Sequence, residues 1–284
     1  MLGHKLWQAC RAELDAHVTL RSPLSRYAQL GLFEPERTID RVDVEDFPSV
    51  ERALTRVAPE VVVNCVGVVK QLEAAKDPVV SIAVNALFPH RLARLTASRG
   101  IRLVHISTDC VFAGTRGGYT EDDRADADDL YGRTKALGEV TGPGCLTLRT
   151  SIIGRELEGR RGLVEWLLAQ RGGQVRGFTR AVFSGLTTLA LSRVVRDLIR
   201  MRPSLAGLYH VAAEPISKHD LLRLLDECYH AGVRIEPSAE LAVDRSLNGD
   251  RFRRATGFEP APWPEMAREM AADPTPYDAW RSPA

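Results

Sequence analysis

Short runs of β-branched residues alternate, through the first half of the chain, with stretches whose apolar positions recur at helical spacing. That alternation predicts βαβ units around a parallel sheet. The chain opens inside a helix: Leu2, Leu6, Ala9, Cys10 and Leu14 share a face, and His17 to Leu20 then reads as a strand stopped at Arg21-Ser22-Pro23. Arg41 to Val44 reads as a second short strand, and Asp46 can cap a helix carrying Val50, Leu54 and Val57 before Pro59 ends it. Val61 to Gly67 is nearly all apolar, the pattern of a strand covered on both faces. A helix from about Pro78 to Ser98 is expected to bend at Pro89, and Ile101 to Ile106 forms the next strand, ending in Ser107-Thr108-Asp109.

Gly114 to Asp129 is rich in Gly, Asp and Thr without periodicity, so it reads as a loop reaching a site at the strand ends. Tyr131 to Val140 resumes a helix and Cys145 to Ile153 a strand. Beyond Gly154 the pattern loosens into Arg- and Gly-rich loops around Arg155 to Arg161 and Arg171 to Arg180. A helix near Thr187 to Met201 and a strand from Gly207 to Ala213 follow, and Ser217 with Asp220 makes a capping box for a helix through Cys228. Two short helices are expected around Arg251 and Met266. The fold class is therefore α/β: a doubly wound parallel sheet over residues 1–153, with a smaller, partly interleaved C-terminal lobe over 154–284. Residues 187–213 are expected to return to the main body, leaving a cleft between the lobes.

Charge narrows the partners. With 38 basic against 37 acidic side chains the net charge is +1, too little basic excess for nucleic acid or an anionic membrane as the main partner. No apolar run of about 18 residues and no leader-like start is present, which points to a cytoplasmic protein. The five cysteines are widely spaced and never form Cys-x-x-Cys, and the seven histidines lie singly, so neither a disulfide frame nor a metal site is expected. Only five lysines occur, so a lysine at a chemically sensible place is informative.

Lys135 is in such a place. It follows Tyr131 by four positions, which puts both side chains on one helix face a turn apart. A phenol titrating near ~10 is a poor acid or base at neutral pH, and a neighbouring ammonium favours its phenolate. A solvated surface pair would share the spacing. The hydroxyls of Ser107 and Thr108 sharpen the reading, because the C-terminal end of a sheet strand is where ligands bind in open α/β folds.

Three segments carry a resemblance: Ser107-Thr108-Asp109-Cys110-Val111-Phe112-Ala113-Gly114, then Gly118-Tyr119-Thr120-Glu121, then Tyr131-Gly132-Arg133-Thr134-Lys135-Ala136-Leu137-Gly138-Glu139. Together they resemble extended short-chain dehydrogenases, with a Rossmann-like fold, most closely the dTDP-4-dehydrorhamnose reductase group. Leu148-Arg149-Thr150-Ser151 looks like that group's strand beside the nicotinamide, and Asp244-Arg245-Ser246-Leu247-Asn248 through Trp263 like its C-terminal segment. The resemblance implies an NADPH-dependent reductase of a 4-keto-6-deoxy nucleotide sugar, serving surface-polysaccharide precursor synthesis. It implies that Tyr131 donates a proton to the reduced carbonyl oxygen, that Lys135 lowers its pKa and holds the nicotinamide ribose, and that Thr108 hydrogen-bonds the same oxygen. Asp109, Cys110 and Arg245 join Thr108 at the substrate by the same resemblance, and Thr150 lies at the cofactor. Asp43-Val44 resembles the adenine-contacting pair and Cys65-Val66-Gly67 the strand end under the cofactor. Arg21, ending a strand, stands where a cation meets a 2′-phosphate, which favours NADPH while leaving NADH open.

Two departures matter. The group commonly has a tyrosine where this chain has Cys110, which leaves the sugar undefined. Met1-Leu2-Gly3 looks like the tail of a Gly-x-x-Gly-x-x-Gly fingerprint with Gly3 as its third glycine. The first strand and two glycines that cradle a pyrophosphate are missing. The expectation is a start roughly ten or more residues upstream, by the length of one strand and its turn. A shortened protein with weak cofactor binding is the alternative. An NAD-retaining nucleotide-sugar epimerase or dehydratase and a non-catalytic nucleotide-binding regulatory subunit remain as competing readings, and a homodimer stays open. Asn85, a poor mid-helix choice, either bridges to the active-site loop or is solvated. Arg155, Arg160 and Arg180 read as surface charges.

Overall fold

A computed structural model of the protein describes residues 1–69 and 73–280. In chain order its elements begin with α1 Leu2–Cys10, β1 Val18–Thr19, β2 Thr38–Ile39, α2 Phe47–Val57, β3 Val61–Asn64, α3 Pro78–Ser81, α4 Phe88–Ser98, β4 Arg102–Thr108, α5 Leu130–Leu137 and β5 Cys145–Thr150. Then follow β6 Ile152–Ile153, α6 Leu163–Leu168, β7 Gln174–Phe183, β8 Leu186–Thr187, α7 Thr188–Met201 and β9 Gly207–His210. The chain ends with β10 Ile216–Ser217, α8 Lys218–Tyr229, β11 Arg234–Asp244, α9 Asp250–Thr256, α10 Trp263–Ala271 and α11 Tyr277–Trp280.

The main sheet has the parallel order β3-β4-β5-β9, so the strand after α7 does return to it. Alternation along its central strands builds two cores. Val104, Leu146 and Leu148 face α1 and α7, where they join Leu2, Leu6, Leu191, Val195 and Leu198. Leu103 and Cys145 face the other way, onto Val50, Leu54, Phe88 and Leu92 of α2 and α4. Helices thus cover both faces, as a doubly wound parallel sheet requires. The β1–β2 ladder stands apart, and among the described residues no backbone ladder joins it to β3.

Three elements differ from the pattern read along the chain. The second short strand is Thr38–Ile39 rather than Arg41 to Val44, because Arg41 adopts φ +55° and breaks the extension. The long helix does run from Pro78 to Ser98, but its middle, Ile82–Leu87, is π-helical, and Pro89 follows that stretch directly, where the helical hydrogen-bond pattern changes. Arg171 to Arg180 is not a loop throughout: β7 pairs with β11 and β10 into a second sheet. Its Val175, Gly177, Ala181 and Phe183 point inward while Arg176 and Arg180 are exposed, and those arginines and glycines hide a period of two. The predicted capping box is present, with Ser217 Oγ accepting from the Asp220 N–H at 3.0 Å.

Buried histidines make this packing sensitive to acid. His4 meets the Tyr277 hydroxyl at 2.7 Å, and burial pulls its pKa down to about 2. His210, fully buried, is brought down to about 3 by burial and then by Arg149. Both pKa values lie below the unfolded value, so the folded state keeps these rings neutral and stability is lost as pH falls below about 6.5. Each histidine is expected to remove about 1.4 kcal/mol per pH unit in that window. Urea unfolding at pH 7, 6 and 5 reads this, and stability flat across the range would contradict it.

Candidate active site

The end of β4 and the start of α5 form the site. Thr108 Oγ1 accepts the Cys110 N–H at 3.1 Å and donates to Asp109 Oδ1 at 3.1 Å, which fixes the turn at the strand end. Asp129 caps α5 through the Gly132 N–H at 2.8 Å. Gly132 is needed there, because a Cβ would lie 2.2 Å from the Cys110 carbonyl oxygen. That close approach brings Tyr131 to the Thr108–Cys110 turn.

The electrostatics of Tyr131 run against the direction that sequence spacing suggested. Burial raises its pKa above the ordinary phenol value, Cys110 and Asp109 add to the rise, and a hydrogen bond with Thr108 opposes it. Lys135, only 5% exposed, donates from Nζ to the Ile106 carbonyl at 2.9 Å. Burial lowers its pKa to about 8, against the opposing pull of Glu139 and Cys65. The ammonium therefore serves the main chain of β4 here, and Tyr131 is a fully protonated phenol at neutral pH. That is the state a proton donor needs.

A buried ionic network sits behind this pair. Glu139 accepts from Ser107 Oγ at 2.7 Å and from Arg149 Nε and Nη2 at 2.8 and 2.7 Å. Arg149 Nη1 meets His210 Nε2 at 3.3 Å, so the neutral ring carries its proton on Nδ1 and donates to the Tyr119 carbonyl at 3.0 Å. Asn85 resolves in favour of a bridge. It is 1% exposed, its Oδ1 accepts from the Val68 N–H at 2.9 Å, and its Nδ2 reaches the Val68 carbonyl at 3.1 Å and Thr134 Oγ1 at 3.5 Å. The turn after β3 is thereby tied to α5, and a Cβ on Gly67 would come 3.3 Å from Asn85 Oδ1.

The cofactor-side candidates fall into two groups. Thr150 is paired in register with Thr108 on the neighbouring strand, so it joins the crevice. Burial pushes the Cys65 thiol up to about 12, with the Met1 amino group and Lys135 pulling it the other way. A Cβ on Gly3 would stand in open space; Val66 and Gly67 follow Cys65 and are exposed. Arg21, Asp43 and Val44 gather elsewhere, at the ends of β1 and β2. Arg21 Nε donates to Asp43 Oδ2 at 2.9 Å and Nη2 to Glu45 at 3.5 Å. Val44 packs against the α2 core.

On the substrate side, burial raises the pKa of Asp109 and pushes the Cys110 thiol up to about 12, so that cysteine is a neutral wall and not a nucleophile. Arg245 uses its fork on the chain itself, donating to the Phe112 and Ala113 carbonyls at 2.7 and 3.2 Å. It holds the loop after the site against the C-terminal lobe. Arg155 is not a surface charge, being 8% exposed and paired with Glu165 at 2.7 Å.

A sequence profile of the RmlD substrate-binding domain matches residues 2–274, which is nearly the whole chain. The chain belongs to this family. Within the RmlD family, a dTDP-4-keto-6-deoxy-D-glucose reductase of Streptomyces niveus is 39% identical over 112 residues, 38% of this chain and 39% of that protein. A dTDP-4-dehydrorhamnose reductase of Mycobacterium tuberculosis is 33% identical over 132 residues, 45% of this chain and 41% of its own length. The match thus spans about two fifths of these curated relatives. Among solved structures, the dTDP-4-dehydrorhamnose reductase of Bacillus anthracis in complex with NADP superposes with a TM-score of 0.72 at 21% identity, over 91% of this chain and 99% of the other. A UDP-glucuronic acid 4-epimerase of Bacillus cereus in complex with NAD gives 0.74 at 15% identity, over 99% and 97%. The RmlD scaffold is therefore shared across reductases and epimerases, and likeness of fold does not choose between them.

Three residues near this candidate site lay outside the candidates read from sequence. Glu139 and Arg149 stood within the quoted motifs, yet only their contact shows that, with Ser107, they brace β4 and β5. Glu121, 8% exposed, also stood within a quoted motif without a role, and accepts the His210 N–H at 2.8 Å.

Proposed function

We propose that this chain reduces the keto group of a nucleotide-linked 6-deoxy sugar with NADPH, as a step toward surface-polysaccharide precursors in the cytoplasm. The reading rests on the RmlD family match, on Thr108 closing β4, and on Tyr131 and Lys135 one turn apart on α5, with Lys135 bonded to that same strand at the Ile106 carbonyl. The names of its relatives support it, since those proteins are reductases of dTDP-linked keto sugars.

The residues present suit the nicotinamide end of the cofactor. Lys135, Tyr131, Thr150 and the turn Cys65-Val66-Gly67 would hold it, and Arg21 would meet a 2′-phosphate near Asp43 and Val44. An exposed ion pair such as Arg21 with Asp43 is worth at most about 1 kcal/mol, so a phosphate dianion can displace it. When bound, the reduced nicotinamide supplies the hydride that the carbonyl carbon accepts. The chain's own residues manage the oxygen: Thr108, turning its hydroxyl proton from Asp109, donates a hydrogen bond to it, Tyr131 transfers its proton to it as charge develops, and Lys135 holds ribose and steadies the phenolate left behind. The lobe from residue 154 onward carries the substrate, and Thr108, Asp109 and Cys110 form the facing wall. A homodimer belongs to the same reading, covering the exposed apolar Val79, Ile82, Leu87 and Leu137 around α3 and α5.

The test is NADPH oxidation by the purified chain with a dTDP-4-keto-6-deoxy sugar. One NADPH consumed per sugar reduced is expected. Sugar interconversion without net NADPH consumption would replace the reductase with an epimerase, and cofactor binding without turnover would leave a regulatory subunit.

A further inference from the structure

Backbone pairing sets Ser107 of β4 beside Arg149 of β5, and Arg149 beside His210 of β9, so these three residues form one row across the main sheet. The next row holds Thr108 and Thr150, the last pair of the β4–β5 ladder and both candidates for the site. Successive residues of a strand point to opposite faces, so the side chains of the first row turn away from those of the second. Glu139, two residues beyond α5, closes the first row. Its Oε1 accepts from Ser107 Oγ at 2.7 Å and from Arg149 Nε at 2.8 Å, and its Oε2 accepts from Arg149 Nη2 at 2.7 Å. One carboxylate thus holds side by side the two residues that immediately precede Thr108 and Thr150. Arg149 Nη1 carries the row on to His210 Nε2 at 3.3 Å.

Taking two charges out of water costs about as much as their attraction returns, so this pair adds little to stability as such. It adds direction. A planar fork meeting a carboxylate at two points fixes distance and angle, where apolar side chains would allow the strands to slide. The side chains of Arg149 and Glu139 are only 5% and 10% exposed, so water does not compete for these bonds. Their place also matters, since the β4–β5 ladder ends one residue later and no further backbone pair holds the two strand ends together. Lys135, four residues before Glu139, bonds the Ile106 carbonyl at 2.9 Å. The end of α5 therefore grips two consecutive residues of β4 just before Thr108.

We infer that Glu139 is a positioning residue, which acts through Ser107 and Arg149 to set the spacing of Thr108, at the substrate oxygen, from Thr150, at the cofactor. The inference rests on the reductase reading for the roles of the two threonines and adds the group that holds them in register.

Ser107→Ala tests it, because that change removes one hydroxyl, leaves the Glu139–Arg149 pair in place and releases only the hold on β4. Amide hydrogen exchange of the ligand-free chain reads the Thr108–Phe112 turn, where the Cys110 N–H bonds Thr108 Oγ1 at 3.1 Å. Exchange there is expected to be about tenfold faster in Ser107→Ala, the effect of losing one hydrogen bond to a charged group. Turnover of the keto sugar should fall about tenfold, with KM for the sugar and NADPH affinity held within about threefold and thermal unfolding close to wild type. Ser107→Thr, which keeps the hydroxyl, should return both readings towards wild type. Exchange or turnover unchanged in Ser107→Ala overturns the proposal. So does a Thr variant no better than the Ala one, or a parallel loss of turnover, NADPH affinity and unfolding temperature, which marks general loosening. Failure of the reductase reading looks different: the wild-type chain would consume no NADPH with the keto sugar, while the exchange difference would remain.

Discussion

Tyr131→Phe is expected to lower turnover of the keto sugar about 10³-fold, the middle of the range for losing a positioned general acid. NADPH affinity should stay within about threefold, because the substitution removes one hydroxyl from a ring that otherwise keeps its packing. The raised pKa of Tyr131 makes the prediction sharper. Burial keeps the phenol protonated throughout the neutral range, so the proton to be delivered is always present. Steady-state kinetics with single-turnover controls measure the effect. A variant within about tenfold of wild type would remove Tyr131 from proton transfer.

Lys135→Met is expected to inactivate the protein while making it more stable at pH 7. Burial lowers the lysine to about 8 from an ordinary 10.5, a cost of about 3 kcal/mol to the folded state whenever the unfolded chain would hold the proton. Removing its hydrogen bond to the Ile106 carbonyl gives back about 1 kcal/mol, leaving the variant about 2 kcal/mol more stable. The sign with pH follows from the depressed value. The wild type carries the full penalty below pH 8 and sheds it as pH rises from 8 towards 10.5, so the gap between the two proteins should shrink in that window. Urea unfolding of both at pH 7 and 9 measures it. A variant less stable than wild type at pH 7, or a gap indifferent to pH, would show that the ammonium is well solvated.

Local features were readable from the chain. The spacing of Tyr131 and Lys135 on a helix, the hydroxyl of Thr108 at a strand end, and the cap that Ser217 gives α8 each depend on residues a few positions apart. Backbone geometry fixes such relations before any packing occurs. Asn85 lay at the limit of this kind of reading. A polar residue within a helix signals a special environment, but only the π-helical turn and the arrival of α5 decide that it bonds Val68 and Thr134.

The second sheet was missed because Arg176 and Arg180 occupy its solvent face and glycine its inner one, which removes the apolar alternation on which strand reading depends. The protonation of Tyr131 was misjudged for a related reason. Spacing gives proximity to an ammonium, whereas burial, set by the whole fold, is the larger influence on the phenol.

By itself, then, the sequence determined the doubly wound architecture and the family, and it put forward Thr108, Tyr131 and Lys135 as the candidate reacting groups. The tertiary structure alone decided that Arg245 ties down a loop and that Arg155 is interior. Periodicity and motif spacing report what neighbouring residues can do. The packing of two lobes decides which distant charges meet and how much water they retain.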